Sequence, residues 1–282
     1  MFIGRVLKDV IDLTSNCEET SNQGSSPSCT GHAGRAMLGW LRNRVKKHLD
    51  HGWSWRCIYN LGQVIGGYLG SDGAMPTDIL QGLIQYGACT LDRLPSSPEA
   101  DVNLNPLVSI HPDDLKEGKI KDYRPLHSVE EIHETMDRTV VVYVTILWDR
   151  AWMTPRPDGT LAPATGDWVG GHALLAVAIN TLKGLLRLQN SWGVMWSPLL
   201  NGHCWVLLDD VEDQFRDPNQ PCEAYEPTDR YIPEPEPEPE PQPPPKPWYC
   251  SGLKALRNAI NTLGMGSVRD ILDQMLKDGG CQ

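Results

Sequence analysis

From Ala33 onward the apolar side chains Ala36, Met37, Trp40, Leu41, Val45 and Leu49 recur at spacings of three and four, which predicts a long helix opening at Cys29 with one buried face. Lys46, Lys47 and His48 followed by Gly52 mark its close, because cations favour a helix C-terminus. The same spacing predicts helices over 53–69 and 77–86, the second stopped by Gly87. Ser128 with Glu131 three positions on reads as a capping box, opening a helix that ends before Thr139. There the pattern changes. Runs rich in β-branched residues over 139–147, 172–179, 185–189 and 203–208 predict strands separated by polar or Gly/Pro-rich turns. Helices first and strands later give an α+β chain of two lobes, one built around a central helix and one an antiparallel barrel-like sheet. The cleft between them is the natural site.

A composition break follows. Pro and Glu alternate from Pro233 to Pro241, and prolines continue to Pro247. Fixed φ angles and mutual repulsion of the Glu side chains predict an extended spacer of roughly 45 Å at about 3.1 Å per residue, with a disordered tail as the alternative. Beyond it, Leu253, Leu256, Ala259, Ile260 and Leu263 share one helical face, and Val268, Ile271, Leu272, Met275 and Leu276 another. Two short helices cannot bury both stripes alone, so this hairpin is expected to dock on a protein partner or assembly. The domain plan is then 1–230 for the main domain, 231–248 for the linker and 249–282 for the helical hairpin.

A formal net charge of -11 argues against nucleic acid or anionic membrane surfaces as main partners. Ten Trp against two Phe imply that indoles fill much of the core. No segment approaches twenty uninterrupted apolar residues, and the amino terminus does not read as a secretion signal, so a soluble cytoplasmic or virion-associated protein is expected. The eight cysteines are dispersed without CxxC pairs, which favours reduced thiols over disulfides and gives no metal site. Cys250 and Cys281 flank the hairpin and could clip it if oxidised. No cofactor is expected.

Four scattered residues carry the chemistry. Gln23, Cys29, His172 and Asn190 supply an amide donor, a thiol, an imidazole and an orienting amide. A helix N-terminus and a neighbouring imidazolium favour the thiolate of Cys29. Asn190 can hold the ring nitrogens of His172 in the productive sense, and Trp192 can keep water from that bond. The Gln23 amide and the Cys29 backbone N–H can donate to an oxyanion. Other residues read more plainly. His32 belongs to the helix, His203 and Cys204 sit in a strand with no metal partners nearby, and Asp167 is a solvated loop charge able to tune substrate preference.

The run from Gln23-Gly24 through Ser28-Cys29-Thr30-Gly31-His32-Ala33, the later Gly171-His172-Ala173, and Asn190-Ser191-Trp192-Gly193 through Trp196 together resemble the papain-like cysteine peptidases, in particular their bacterial and viral branch. The resemblance covers about residues 5–210. It implies a papain-like two-lobed fold and a thiol-dependent peptide-bond hydrolase acting on polypeptides. Cys29 would be the nucleophile, His172 the general base and acid, Asn190 the orienting residue and Gln23 the oxyanion donor. Trp192 would shield the site and Trp196 wall its leaving-group side. Gly73 would pair its backbone with an extended substrate, and Ala173 would face the pocket for the second residue before the scissile bond. The chain departs from the family at Ser26, Pro27 and Thr30, so the usual disulfide beside the nucleophile is absent and Pro27 can displace the oxyanion loop. The domain begins almost at Met1, which leaves no inhibitory propeptide expected. A bacteriophage or bacterial source, with the hairpin tethering the enzyme to an assembly such as a virion, fits these features. A catalytically silent structural or adaptor component and a cell-wall peptide amidase remain the alternatives.

Overall fold

A computed structural model describes residues 6–45, 52–96, 110–219, 222–229, 254, 256–258, 273, 274, 276 and 277. The chain divides into two compact units, Met1–Ile232 and Pro233–Gln282.

Helix α1 (Cys29–Arg44) forms the centre of the first unit, with Met37, Leu38, Trp40 and Leu41 fully buried. The helix ends at Arg44 with Val45 as its C-cap, short of the expected Leu49, and residues 46–51 lie outside the described residues. Helices α2 (Trp55–Gly66) and α3 (Pro76–Gln85) pack beside it. Gly31 permits that approach: a Cβ there would meet Tyr59 Cβ at 2.7 Å and the Trp55 carbonyl oxygen at 2.8 Å. Helix α2 is shorter than its apolar run because both ends are capped. The Ser54 hydroxyl accepts from the Cys57 N–H at 3.2 Å, and Gly67 at φ 73° turns the chain out of the helix.

Seven strands form one antiparallel sheet: β1 (Val10–Asp12), β2 (Asp122–Leu126), β3 (Val142–Asp149), β4 (Trp168–Asn180), β5 (Leu185–Gln189), β6 (His203–Leu207) and β7 (Glu223–Thr228). Their order is β2-β7-β3-β4-β5-β6, with β1 pairing with β4. Strand β4 is the spine, and its residues from His172 to Ile179 are all buried. A strand covered on both faces reads as the continuous apolar run the sequence shows there. Strands β2 and β7 escape that pattern because each carries a proline, Pro125 and Pro227, which argues against a strand until the partner is known. Three further helices, α4 (Pro112–Leu115), α5 (Val129–Asp137) and α6 (Leu208–Arg216), complete the described part of the unit. Helix α5 opens as predicted, with the Ser128 hydroxyl accepting from the Glu131 N–H at 3.2 Å and the Glu131 carboxylate accepting from the His127 N–H at 2.8 Å.

Long-range polar contacts tie the helices to the sheet. The Tyr143 hydroxyl donates to the Thr30 carbonyl at 2.9 Å, joining β3 to the first turn of α1. At the other end of α1 the buried Arg42 guanidinium pairs with the buried Asp229 carboxylate and donates to the carbonyls of Glu117 at 2.8 Å and Lys119 at 2.9 Å.

In the second unit Lys254, Leu256, Arg257, Asn258, Asp273, Gln274, Leu276 and Lys277 are helical, and the Arg257 guanidinium pairs with the Asp273 carboxylate. The spacer over 233–247, Cys250, Cys281 and most of both apolar stripes lie outside the described residues. Among the described residues no helix is long and apolar enough to cross a membrane, no acidic, His or Cys cluster suits a metal ion, and Cys17, Cys29, Cys57, Cys89, Cys204 and Cys222 are free thiols.

Candidate active site

Cys29 is the first residue of α1, where the backbone N–H groups have no partner within the helix and the aligned peptide dipoles favour an anion. The backbone N–H groups of Ala173 and Thr30 lie within reach of its sulfur and favour the thiolate, while burial, the largest influence, pushes the thiol up. Ala173 is the neighbour of His172 on β4, and Cys29, His172 and Ala173 all line one cleft.

His172 is buried, and its Nε2 lies 2.7 Å from Asn190 Oδ1. The Ser191 backbone N–H donates to the same oxygen at 2.7 Å. A backbone N–H can only donate, so the atom at that position must be the amide oxygen, and His172 Nε2 must carry a proton. The neutral ring therefore carries no proton on Nδ1. Trp192 stacks on the imidazole with centroids 4.9 Å apart, and Trp148 meets both rings edge-on at 5.0 and 5.3 Å. Burial holds His172 down to about 4 against the lift from Asn190. Thiol and imidazole each resist charging alone. A proton passing from sulfur to ring creates both charges together, and their attraction offsets the burial that either would suffer singly.

Gln23 is stitched to the same loop. Its backbone N–H donates to the Ser191 carbonyl at 2.8 Å, the Ser191 hydroxyl donates to its Oε1 at 2.5 Å, and its Nε2 donates to the Ser26 carbonyl at 2.9 Å. With Oε1 and one N–H engaged, the side-chain amide is fixed in orientation, and Nε2 has a second N–H to offer.

The xylellain structure, a cysteine protease from Xylella fastidiosa, superposes with a TM-score of 0.67 at 21% identity, covering 79% of this chain and 87% of that one. The digestive procathepsin L 3 of Tenebrio molitor larval midgut gives 0.61 at 16% identity over 81% and 72%. The Carica candamarcensis cysteine protease CMS1MS2 gives 0.59 at 16% identity over 79% and 99%. This chain has a papain-like fold. No protein-family model matches it, and a search of curated protein sequences finds no match.

The papain-like cleft has a volume of about 470 Å³ and is lined by residues that include Gln23, Cys29, Gly73, Ala74, His172 and Ala173. Gly73 lines the cleft, and its carbonyl accepts from the Gln63 amide at 2.8 Å. Trp196 packs edge-on against Trp192 at 5.2 Å with its indole N–H on the Met153 carbonyl at 2.9 Å, and it does not line this cleft. Pro27 does line it, beside Cys29. His32 is buried within α1, stacked on Trp55 at 4.5 Å with Nδ1 2.6 Å from the Ser21 hydroxyl. Asp167 forms an exposed pair with Arg150 at 2.7 Å.

Sequence reasoning missed Glu223, Thr145 and Asp72, which also line the cleft. Glu223, Thr145 and Ala173 form one row across β7, β3 and β4. No motif marks Glu223. Only the pairing of β7 with β3 brings it there, and β7 was not legible. Ser191 was within reach of the sequence, since it sits inside the Asn190 to Gly193 block, yet its bonds to both Gln23 and Asn190 emerge only from the fold.

Proposed function

We propose that this chain is a thiol-dependent peptide-bond hydrolase. The observation that carries the reading is the shared acceptor at Asn190 Oδ1, which assigns the proton of His172 to Nε2 and leaves Nδ1 bare in a cleft it shares with Cys29. Cys29 gives its proton to His172 and attacks the substrate carbonyl carbon, and the oxygen takes up negative charge facing the Cys29 N–H and the Gln23 amide. Collapse expels the amine, which takes the proton from His172. Water, activated by the same ring, then attacks the thioester, and the acid leaves with the sulfur restored. Xylellain and the Carica protein are described as cysteine proteases, which supports this reading of the site.

The cleft also favours a class of substrate. Asp72 and Glu223 put two carboxylates on its lining, with no Lys or Arg among the described lining residues. A cationic side chain seated against Ala173, at the second residue before the scissile bond, would meet Glu223 at half-buried depth. The Pro/Glu spacer and the helical residues after it support a tether, with the second unit docking on a protein assembly such as a virion.

The test is hydrolysis of a denatured protein by the purified chain, beside Cys29→Ser. Cleavage by the parent and none by the variant supports the proposal. Release of peptides from bacterial cell walls without cleavage of the denatured protein would favour the amidase alternative, and inertness toward both would favour a silent adaptor.

A further inference from the structure

We propose that Gln63, which touches neither Cys29 nor the cleft, is a positioning residue that clamps the loop over 70–73 so that Ala74 presents its backbone to an extended peptide. The proposal rests on the peptidase reading above. Gln63 is 0% exposed, on the last turn of α2. Its Nε2 donates to the carbonyls of Ser71 at 2.6 Å and Gly73 at 2.8 Å, and its Oε1 accepts from the Gly70 N–H at 3.2 Å. Every one of these bonds goes to a single loop.

A second clamp holds the far side. The Tyr68 hydroxyl donates to the Asp78 carboxylate at 2.6 Å and accepts from the Met75 N–H at 2.8 Å, anchoring the chain to the start of α3. Ala74 lies between the two clamps and lines the cleft with Cys29 and His172. Among the described residues neither its N–H nor its carbonyl enters a hydrogen bond, whereas the carbonyls of Ser71 and Gly73 on one side and the N–H of Met75 on the other are all engaged inward. An extended peptide adds to such a rim through the N–H and C=O of one residue. Asp72 and Ala74 both line the cleft with no backbone hydrogen bond among the described residues, and of the two Ala74 stands between the Gln63 and Tyr68 clamps; without Gln63 nothing described fixes the Gly73 carbonyl inward.

The experiment compares kcat/KM for a blocked peptide amide with four residues before the scissile bond and for a blocked single-residue ester that ends short of Ala74. Wild type, Gln63→Met and Gln63→Glu are measured, with thermal unfolding as a check of fold. Loss of two amide donors predicts that the ratio of peptide to ester kcat/KM falls about tenfold or more, carried by KM. Gln63→Glu keeps the acceptor for Gly70 and loses both donors, so it reads the same split if the Met variant fails to fold. A parallel fall for both substrates, or an unchanged ratio, overturns the proposal and leaves the peptidase reading standing. A wild-type chain that hydrolyses neither substrate overturns both.

Discussion

Replacing Asn190 by Ala removes the oxygen that lies 2.7 Å from His172 Nε2 and 2.7 Å from the Ser191 N–H. The ring is buried under Trp192 and Trp148, so water cannot readily substitute for the lost acceptor. In the resting state the bond joins a neutral imidazole to an amide and contributes about 1 kcal/mol. In the transition state the ring carries the thiol's proton, and a hydrogen bond from a charged donor contributes roughly 1.5–3 kcal/mol. Only the difference, on the order of 1–2 kcal/mol, alters kcat, which is about a 5- to 30-fold fall. Loss of tautomer control adds to this, because the neutral ring can now hold its proton on Nδ1, the nitrogen that must be bare. The combined expectation is a fall in kcat of roughly 10- to 100-fold. KM for a fluorogenic peptide should change less than about twofold, because Asn190 contacts no substrate. Steady-state kinetics across pH 5–9 provide the assay. A kcat within threefold of the parent, in a chain that His172→Ala inactivates, would show that the orienting argument is wrong.

Glu223→Gln should lower kcat/KM for a peptide with Arg at the second residue before the scissile bond by about 10-fold or more, while a Leu peptide changes little; equal effects on both would refute the charge argument. Asp229→Ala removes the buried carboxylate that pairs with the Arg42 guanidinium, and denaturant unfolding should report a loss of about 3–5 kcal/mol, against under 1 kcal/mol if the pair is of no consequence. Burial holds His172 and His203 down to about 4 and His32 to about 3. Each is depressed below its free-chain value near 6.5, so each contributes stability that is fully present above that pH and is lost as pH falls toward the folded value. At pH 5 the loss is roughly 2 kcal/mol per ring, and the unfolding midpoint should drop steeply between pH 6.5 and 4.5. His203→Phe should flatten that limb by one proton, and a stability flat over the window would contradict the buried-neutral assignment.

The elements that carry the candidate site were legible where they sat on local pattern. Cys29 stands at the start of a helix whose apolar period is read directly, and Gly171-His172-Ala173 leads into the buried run of β4 from His172 to Ile179. Gln23 and Asn190 lie in short blocks whose order along the chain is informative. What stayed hidden depends on partners distant in sequence. Arg42 meets Asp229 across 187 residues, and no property of either residue alone announces the pair. Strand β7 carries Pro227 and β2 carries Pro125, so their mutual pairing, and with it the position of Glu223 in the cleft, was invisible to a period-two search. Gly73 received the substrate-pairing role from the resemblance; its left-handed φ of 82° and the turn of its carbonyl to Gln63 could not be read from the sequence.

The most direct test is mass-spectrometric mapping of thiol alkylation by limiting iodoacetamide near pH 6 on the native chain and on His172→Ala. The account predicts that Cys29 is modified well ahead of the other seven cysteines and that this preference disappears in the variant, because the imidazole is what removes the proton. Uniform reactivity across the thiols, or a Cys29 whose labelling is indifferent to His172, would contradict it.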